Sequence, residues 1–338
     1  MMRLSDDPKN RPPARYLPFT TGKYDVKPGL HRFATDFGNR QADHLIFQID
    51  CQFDQYRKEK LDARSEQLDR YVLFHEYPPP VSSTVTEFIA RRLCDEYPNH
   101  FQLQRDVNQW QIDCRLTNER LVFDELWQFN QSASDSRVKP RYNSALDALA
   151  AQVQEDLAVT CTLDNRHWMA AMHVCLPSHW SPAEKIGCTF AEIHSPVPGI
   201  EPVTKQQQEY VNQMVCADRG LVRFVWGLQR DHHLNRHPDS PPRQPDNSAE
   251  GQPPNLHRSP PFFRVERQTI WGLPHIGASL FTIHPFLINV AEIREDPNHR
   301  RSLLSALGTM SDEQLAYKGL ASWRHELTTW LSSADPKN

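Results

Sequence analysis

Apolar residues recur with helical spacing in several stretches of this chain. In SSTVTEFIARRLCDEY, residues 82–97, the apolar positions from Val85 to Leu93 form one stripe along a helix. Helix-rich composition or a similar pattern predicts further helices in residues 53–73 and 144–157, and a helix running into an apolar segment within residues 206–229. The C-terminal part, residues 300–331, is also expected to be helical. Its last helix should begin with a capping box from Ser311 to Gln314.

β-rich runs predict two antiparallel hairpins. LAVTCTL and HWMAAMHVCL flank the turn-forming residues DNRH, and FFRVERQTI and ASLFTIHPF are joined by WGLPHIG. Helices at both ends surround this central β-rich region. The order of elements therefore predicts an α+β fold with an antiparallel sheet rather than a regularly alternating α/β fold.

Composition distinguishes one folded region from three polar segments, two at the ends of the chain and one within it. Residues 1–15 are polar and contain prolines, so a flexible N-terminal tail is expected, and residues 334–338 should form a second tail. A single domain is predicted over residues 16–333. Within it, residues 234–261 have almost no apolar content and are expected to form a flexible insertion.

Charge and cysteine usage exclude several classes of function. The formal net charge of −4 gives no basic footprint for nucleic acid or for an anionic membrane. No signal-like or membrane-spanning apolar run is seen, so a cytoplasmic location is expected. The seven cysteines lack a CxxC pair, and the nucleotide-binding and hydrolase-elbow motifs are missing.

A histidine at the end of one well-marked segment is the first candidate for chemistry. In WSPAEKIGCTFAEIHSPVPG, Ser181 and Glu184 predict a capping box, and the prolines after His194 should end the helix. Ile186, Phe190 and His194 would share the apolar face of that helix. Such a histidine is more often a buried structural residue than a ligand, but its position also suits a haem ligand.

A charged strand is the second candidate. In FFRVERQTI, Phe263, Val265, Arg267 and Thr269 would share one face, and Arg264, Glu266, Gln268 and Ile270 the other. Either orientation brings an arginine inward. The alternatives are a solvent-facing edge strand and a polarised pocket for a small anion, O₂ or an amine.

Several motifs in combination resemble one family, named after the α subunit of haem-dependent oxidative N-demethylase. They are LPFTTGKYDVKPGL, DQYRKEKL, LPSHWSPAEKIGCTFAEIHSPVPG, FRVERQTIWGLPHIGASLFTI and YKGL, and they span most of the chain. The resemblance implies a PAS-like fold that encloses haem b and oxidises an amine with O₂. It also implies electrons from an external donor, such as a separate NADPH-dependent reductase. A non-catalytic haem-binding gas or redox sensor of PAS type is the alternative function.

The resemblance also implies roles for individual residues. The IHSPVPG match makes His194 the proximal haem ligand and the residue that binds the metal, with Ile186 and Phe190 lining the cofactor. His173, on the second strand of the first hairpin, is the alternative ligand. The RVERQT match places four catalytic candidates near the distal side, namely Arg264, Glu266, Arg267 and Gln268. An arginine there would stabilise negative charge developing on O₂, and an acidic residue would orient a cationic amine.

Overall fold

Two antiparallel sheets and helices on both sides of them form the fold. The computed structural model describes residues 7–240 and 256–333. In chain order the strands are β1 (His31–Arg32), β2 (Val72–Phe74), β3 (Phe101–Asp106), β4 (Gln109–Cys114), β5 (Glu119–Asp124), β6 (Asp156–Leu163), β7 (Arg166–His173), β8 (Leu221–Gln229), β9 (Phe262–Leu273) and β10 (Ala278–Asn289). The larger sheet has the order β1-β8-β9-β10-β6-β7-β2, and the smaller has the order β3-β4-β5.

The helices lie before, between and after these strands. They are α1 (Phe53–Glu66), α2 (Leu68–Tyr71), α3 (Pro79–Glu96), α4 (Ala145–Ala150), α5 (Phe190–His194), α6 (Glu201–Thr204), α7 (Gln207–Val215), α8 (Val290–Glu295), α9 (Pro297–Gly308), α10 (Asp312–Tyr317) and α11 (Arg324–Ser332). The mixed α and β class with an antiparallel sheet is therefore confirmed. The capping box from Ser311 to Gln314 forms as predicted, but the helix that it begins, α10, ends at Tyr317, and the last helix, α11, begins separately at Arg324. In the part of the chain that the structure describes, every helix is too short or too polar to span a bilayer.

Turn chemistry explains both predicted hairpins. Asp164 and Asn165 connect β6 to β7 with φ values of 50° and 65°, and Asp and Asn tolerate this left-handed region better than most residues. In the turn of the second hairpin, just before β10, Gly277 has a φ of 59°. A Cβ at this position would lie 2.7 Å from the carbonyl oxygen of Thr162, so glycine is required by space as well as by conformation.

Two predicted helices are shorter than expected. The helix predicted over 53–73 ends with α2, and the chain continues as β2. The helix predicted over 144–157 ends at Ala150. There the ammonium of Lys60 donates hydrogen bonds to the carbonyls of Ala150, Val153 and Glu155. These carbonyls face a buried cation instead of continuing the helix, and β6 begins at residue 156.

β9 is a central strand between β8 and β10, and both faces of the larger sheet are covered there, because consecutive residues of β9 are buried. Face 1 is defined as the side that carries Ala158, Arg223, Glu266, Gln268 and Phe281, which follow one another through the strand register. Face 2 is the opposite side, where Phe263 and Val265 pack against the C-terminal helices. The solvent-facing edge considered for FFRVERQTI is therefore wrong, since residues 263–270 are all buried.

Parts of the predicted flexible segments are packed. Pro8 is buried, and the ammonium of Lys9 lies 2.7 Å from a carboxylate oxygen of Asp54. At the start of the predicted insertion 234–261, Leu234 and His237 are buried. Leu256, near the end of this insertion, is buried as well. Residues 1–6, 241–255 and 334–338, which these predictions also include, lie outside the described residues.

Candidate active site

The segment from Trp180 to His194 covers part of face 1. Ile186 and Trp180 pack against Ala158, Met172 and Val174 of the sheet and its continuation. Two backbone hydrogen bonds hold the segment to β7, from Gly187 N–H to the carbonyl of Met169 and from Met169 N–H to the carbonyl of Cys188. The candidate residues of this segment are therefore held against the sheet that carries the charged strand.

This segment is not the single helix that the sequence predicted. Ser181 caps only a short 3-10 turn, Pro182–Glu184, and the chain then breaks at Gly187, which has a φ of 77°. A second cap follows: Thr189 and Glu192 form a reciprocal capping box that begins α5. The break turns α5 so that His194 still ends a helix, but a helix of one and a half turns.

His194 is held in one tautomer by its own helix. Its Nδ1 lies 2.7 Å from the carbonyl oxygen of Phe190, and a carbonyl can only accept a hydrogen bond. Nδ1 therefore carries the proton, and Nε2 has a free lone pair when the ring is neutral. Burial, opposed by that hydrogen bond and aided by the charges of Arg223 and Lys185, lowers the pKa of His194 to about 4. At neutral pH the ring is a neutral nitrogen base of the kind that binds metal ions.

The aromatic ring of Phe190 lies against this imidazole, with 4.2 Å between the ring centroids. Phe190 and Ile186 are only partly buried, as are Met169, Trp180 and Phe281 beside them. Ile186, Met169, Trp180 and Phe281 thus form a partly buried apolar group on face 1, and Phe190 lies against His194; surfaces of this kind can contact a flat apolar cofactor.

Three of the four charged-strand candidates lie together on face 1. The guanidinium of Arg264 lies 3.2 Å from a carboxylate oxygen of Glu266, and the amide of Gln268 donates to the other oxygen at 3.1 Å. Arg264 also donates to the carbonyls of Leu234 and Leu176. These contacts fix Glu266 as a buried carboxylate in the middle of the sheet.

The fourth candidate of the charged strand, Arg267, and the alternative haem ligand, His173, lie on face 2. Arg267 is buried there and donates to the carbonyls of Leu45 and Ile46. His173 is also fully buried, and its Nε2 lies 3.3 Å from Asp147, the carboxylate that Arg64 holds with two hydrogen bonds. The structure therefore does not bring Arg267 or His173 together with His194.

His173 belongs to a second group of metal-ligand types, with Asp156 and Cys175, whose ligand atoms lie within 4.8 Å of one another. The positive charge beside this group belongs to the side chain of Lys60. The ammonium of Lys60 lies 3.8 Å from Asp156, whose two oxygens accept from the backbone N–H groups of Cys175 and Leu176. Burial raises the pKa of the Cys175 thiol well above its ordinary value, so the thiolate that a metal requires is disfavoured.

The sequence analysis missed three cations around face 1, namely Lys185, Arg223 and Lys318. Burial lowers the pKa of Lys318 to about 8, and its ammonium donates to the carbonyl of Trp226. Lys185 donates to the carbonyl of Ile193 and lies over the ring of Trp180. For Arg223 a signal was present, since LVRFVWGL is an apolar strand interrupted by one charge.

A comparison with protein families matches most of the chain. The model of one family, described as haem-dependent oxidative N-demethylase, alpha subunit-like, matches residues 38–328. The match includes the whole of the larger sheet except β1, and it includes the segment that ends at His194. The chain therefore belongs to the haem-dependent oxidative N-demethylase alpha subunit-like family.

Proposed function

We propose that this protein binds haem b on a PAS-like domain and uses it to remove a methyl group oxidatively from an amine. The observation that carries the proposal is the neutral imidazole of His194, fixed with its Nε2 lone pair free, on the same face of the sheet as the buried carboxylate of Glu266. Family membership gives the reaction class, and this pair of residues gives it a chemical basis.

The residues of face 1 fit a haem in three respects. His194 offers a neutral nitrogen ligand whose orientation is set by a hydrogen bond to its other ring nitrogen, as is typical of metal-binding histidines. The partly buried side chains of Ile186, Phe190 and Phe281 offer apolar contact. Finally, the cations Arg223 and Lys185 lie near His194, and they could pair with the two carboxylates that a haem carries. When bound, the haem would supply an iron centre able to react with O₂ and to accept electrons.

Glu266 is the residue proposed to bind the amine. An alkylamine is a cation at neutral pH, and a buried carboxylate attracts it more strongly than a solvated one would. Arg264 and Gln268 would hold the carboxylate in a fixed orientation through their hydrogen bonds. Arg264 would also place positive charge where negative charge develops during O₂ reduction.

The overall reaction requires electrons from outside this chain. One O₂, two electrons and two protons convert an N-methyl amine into the demethylated amine, formaldehyde and water. A separate reductase, using NADPH, is proposed as the electron donor, in keeping with a family described by its alpha subunit.

The test is turnover by the haem-loaded full-length protein. The protein is purified from cells supplied with haem, and its absorption spectrum is recorded with and without a chemical reductant. N-methyl amines are then added, with O₂ consumption and formaldehyde release followed together. Formaldehyde formed in proportion to O₂ consumed is the expected result. A haem spectrum without formaldehyde release from a range of amines would instead favour the non-catalytic sensor.

A further inference from the structure

Arg223 occupies a central position on face 1. It lies on β8 directly opposite Gln268 of β9, and Gln268 is bonded in turn to Glu266. Residues paired in this way on neighbouring antiparallel strands project to the same side of a sheet. The guanidinium of Arg223 therefore shares the side of the sheet that carries the proposed amine-binding carboxylate.

The Nε–H of Arg223 is buried and has no hydrogen-bond acceptor within residues 7–240 and 256–333. The other cations of this face are better satisfied, since Arg264, Lys185 and Lys318 all donate to main-chain carbonyls. Arg223 is thus the cation of face 1 that has a buried donor still to be satisfied.

Counter-charge is also in short supply around Arg223. Its guanidinium interacts electrostatically with Glu266, which also interacts with Lys185 and Lys318. The carboxylate of Glu266 is itself bonded to Arg264 and Gln268. Lys185 also interacts with Glu184. Two carboxylates are therefore set against four cations, and this leaves a surplus of positive charge among the described residues of the face.

A partly buried cation with an unsatisfied donor is costly, and an arginine is suited to one kind of compensation. Its planar guanidinium binds carboxylates through paired hydrogen bonds, which lysine cannot match. An amine substrate cannot fill this role, because it is itself a cation. The haem can, because its two side-chain carboxylates would be carried into the face by the ring that His194 binds.

We propose that Arg223 binds a propionate carboxylate of the haem and so sets the orientation of the haem on face 1. The inference rests on the proposed haem binding and adds to it a second anchor beside the iron ligand. Arg223 is in this view a positioning residue, and its buried Nε–H donor would be satisfied when the cofactor is present.

The first experiment compares haem with haem dimethyl ester, in which both carboxylates are neutral. Each is titrated into apo protein and followed by its absorption spectrum, for wild type, Arg223→Leu and Arg223→Lys. Wild type should bind haem at least about tenfold more tightly than the ester, a margin expected for one charge-assisted pair. Arg223→Leu should lose this preference by binding haem more weakly while binding the ester as wild type does. Arg223→Lys should retain part of the preference.

The second experiment measures the apo protein alone. Because Arg223→Leu removes a partly buried cation that lacks a full complement of partners, its thermal midpoint should be unchanged or higher, by a shift on the order of 2 °C. In the haem-loaded protein the same substitution should lower the midpoint. Arg219→Leu is the matched control: this arginine is exposed just before β8, and its loss should alter neither the midpoint nor the preference for haem.

The outcomes separate this inference from the proposed function. If wild type binds neither haem nor its ester, both are overturned. If wild type binds the two equally well, or if Arg223→Leu weakens both equally, haem binding stands and the role of Arg223 is overturned. A lower midpoint of the apo Arg223→Leu protein would also count against it, because that result would show that Arg223 is satisfied without the cofactor.

Discussion

The Nδ1 atom of His194 lies 2.7 Å from the carbonyl oxygen of Phe190, one turn earlier in α5. This contact fixes the tautomer and the ring orientation, so that Nε2 has a lone pair before any cofactor arrives. The site is thus prepared for a ligand by local backbone geometry rather than by another side chain.

The first prediction concerns the iron ligand. His194→Ala should weaken haem binding by more than about 100-fold, because even the outer partners of a metal ligand typically account for 10–100-fold. The measurement is a spectroscopic titration of apo protein with haem, and imidazole added to the variant should restore part of the ligand spectrum. His173→Ala is the matched comparison, and its spectrum should remain that of wild type. A spectrum altered by His173→Ala and not by His194→Ala would reverse the assignment.

The second prediction concerns the amine. Glu266→Gln keeps the shape of the side chain but removes its charge, so kcat/KM for a cationic amine should fall by at least about tenfold, since loss of a charged contact costs 1.4 kcal/mol or more. Haem content should be retained. Steady-state kinetics of formaldehyde release give the ratio, and circular dichroism checks the fold. Glu184→Gln serves as the control, because Glu184 is exposed in the 3-10 turn Pro182–Glu184. This variant should leave kcat/KM within twofold, which corresponds to about 0.4 kcal/mol or less. Unchanged kinetics in Glu266→Gln would remove this carboxylate from substrate binding.

The third prediction concerns the break before α5. Gly187 has a φ of 77°, and a Cβ there would meet the ring of His75 at 3.1 Å, so Gly187→Ala is expected to cost about 1–2 kcal/mol of stability. Haem affinity should fall as well, because the substitution disturbs the segment that positions His194. Gly308→Ala is the matched control, since no atom lies within 4 Å of its added Cβ and the position ends a helix. That variant should be as stable as wild type or slightly more stable in chemical denaturation.

The sequence predicted what depends on local chemistry. The hairpin at Asp164 and Asn165 and the capping box at Ser311 follow from turn and cap preferences of a few residues, and both are present. The second capping box, Thr189 to Glu192, was visible in the same way and was overlooked in favour of Ser181. The signs that α5 begins late were therefore in the sequence, in Gly187 followed by a threonine cap.

Long-range features could not be read from the pattern. An alternation such as RVERQT is the same for an edge strand and for a central strand covered on both sides, so the burial of both Arg264 and Arg267 depends on which strands are neighbours. The separation of these two arginines onto opposite faces did follow from the period of two. The face of the sheet that meets His194 could be identified only from the register of β8 with β9.

The fourth prediction concerns the buried ion pair on face 2. Asp147 is fully buried and accepts two hydrogen bonds from Arg64, at 2.7 and 2.8 Å. Burial alone would raise the pKa of Asp147, but the hydrogen bonds and charges of His173 and Arg64 outweigh it and lower the pKa to about 2. The folded state therefore holds the carboxylate ionised where the unfolded chain, with an ordinary pKa of 3.8, begins to take up a proton.

The stabilisation from Asp147 should be fully present above about pH 5 and should be lost as the pH falls from about 4 to 2. Asp147→Asn should cost about 3–5 kcal/mol at pH 7, because it leaves the guanidinium of Arg64 buried without its counter-charge. Urea denaturation at pH 7 and at about pH 2.5 measures both effects, and the difference between variant and wild type should shrink at the lower pH. Asp113→Asn makes the same change in an exposed pair with Arg120, so its cost should stay below about 1 kcal/mol. A cost for Asp147→Asn that is equally small, or that does not change with pH, would show that this buried pair contributes no more than the surface one.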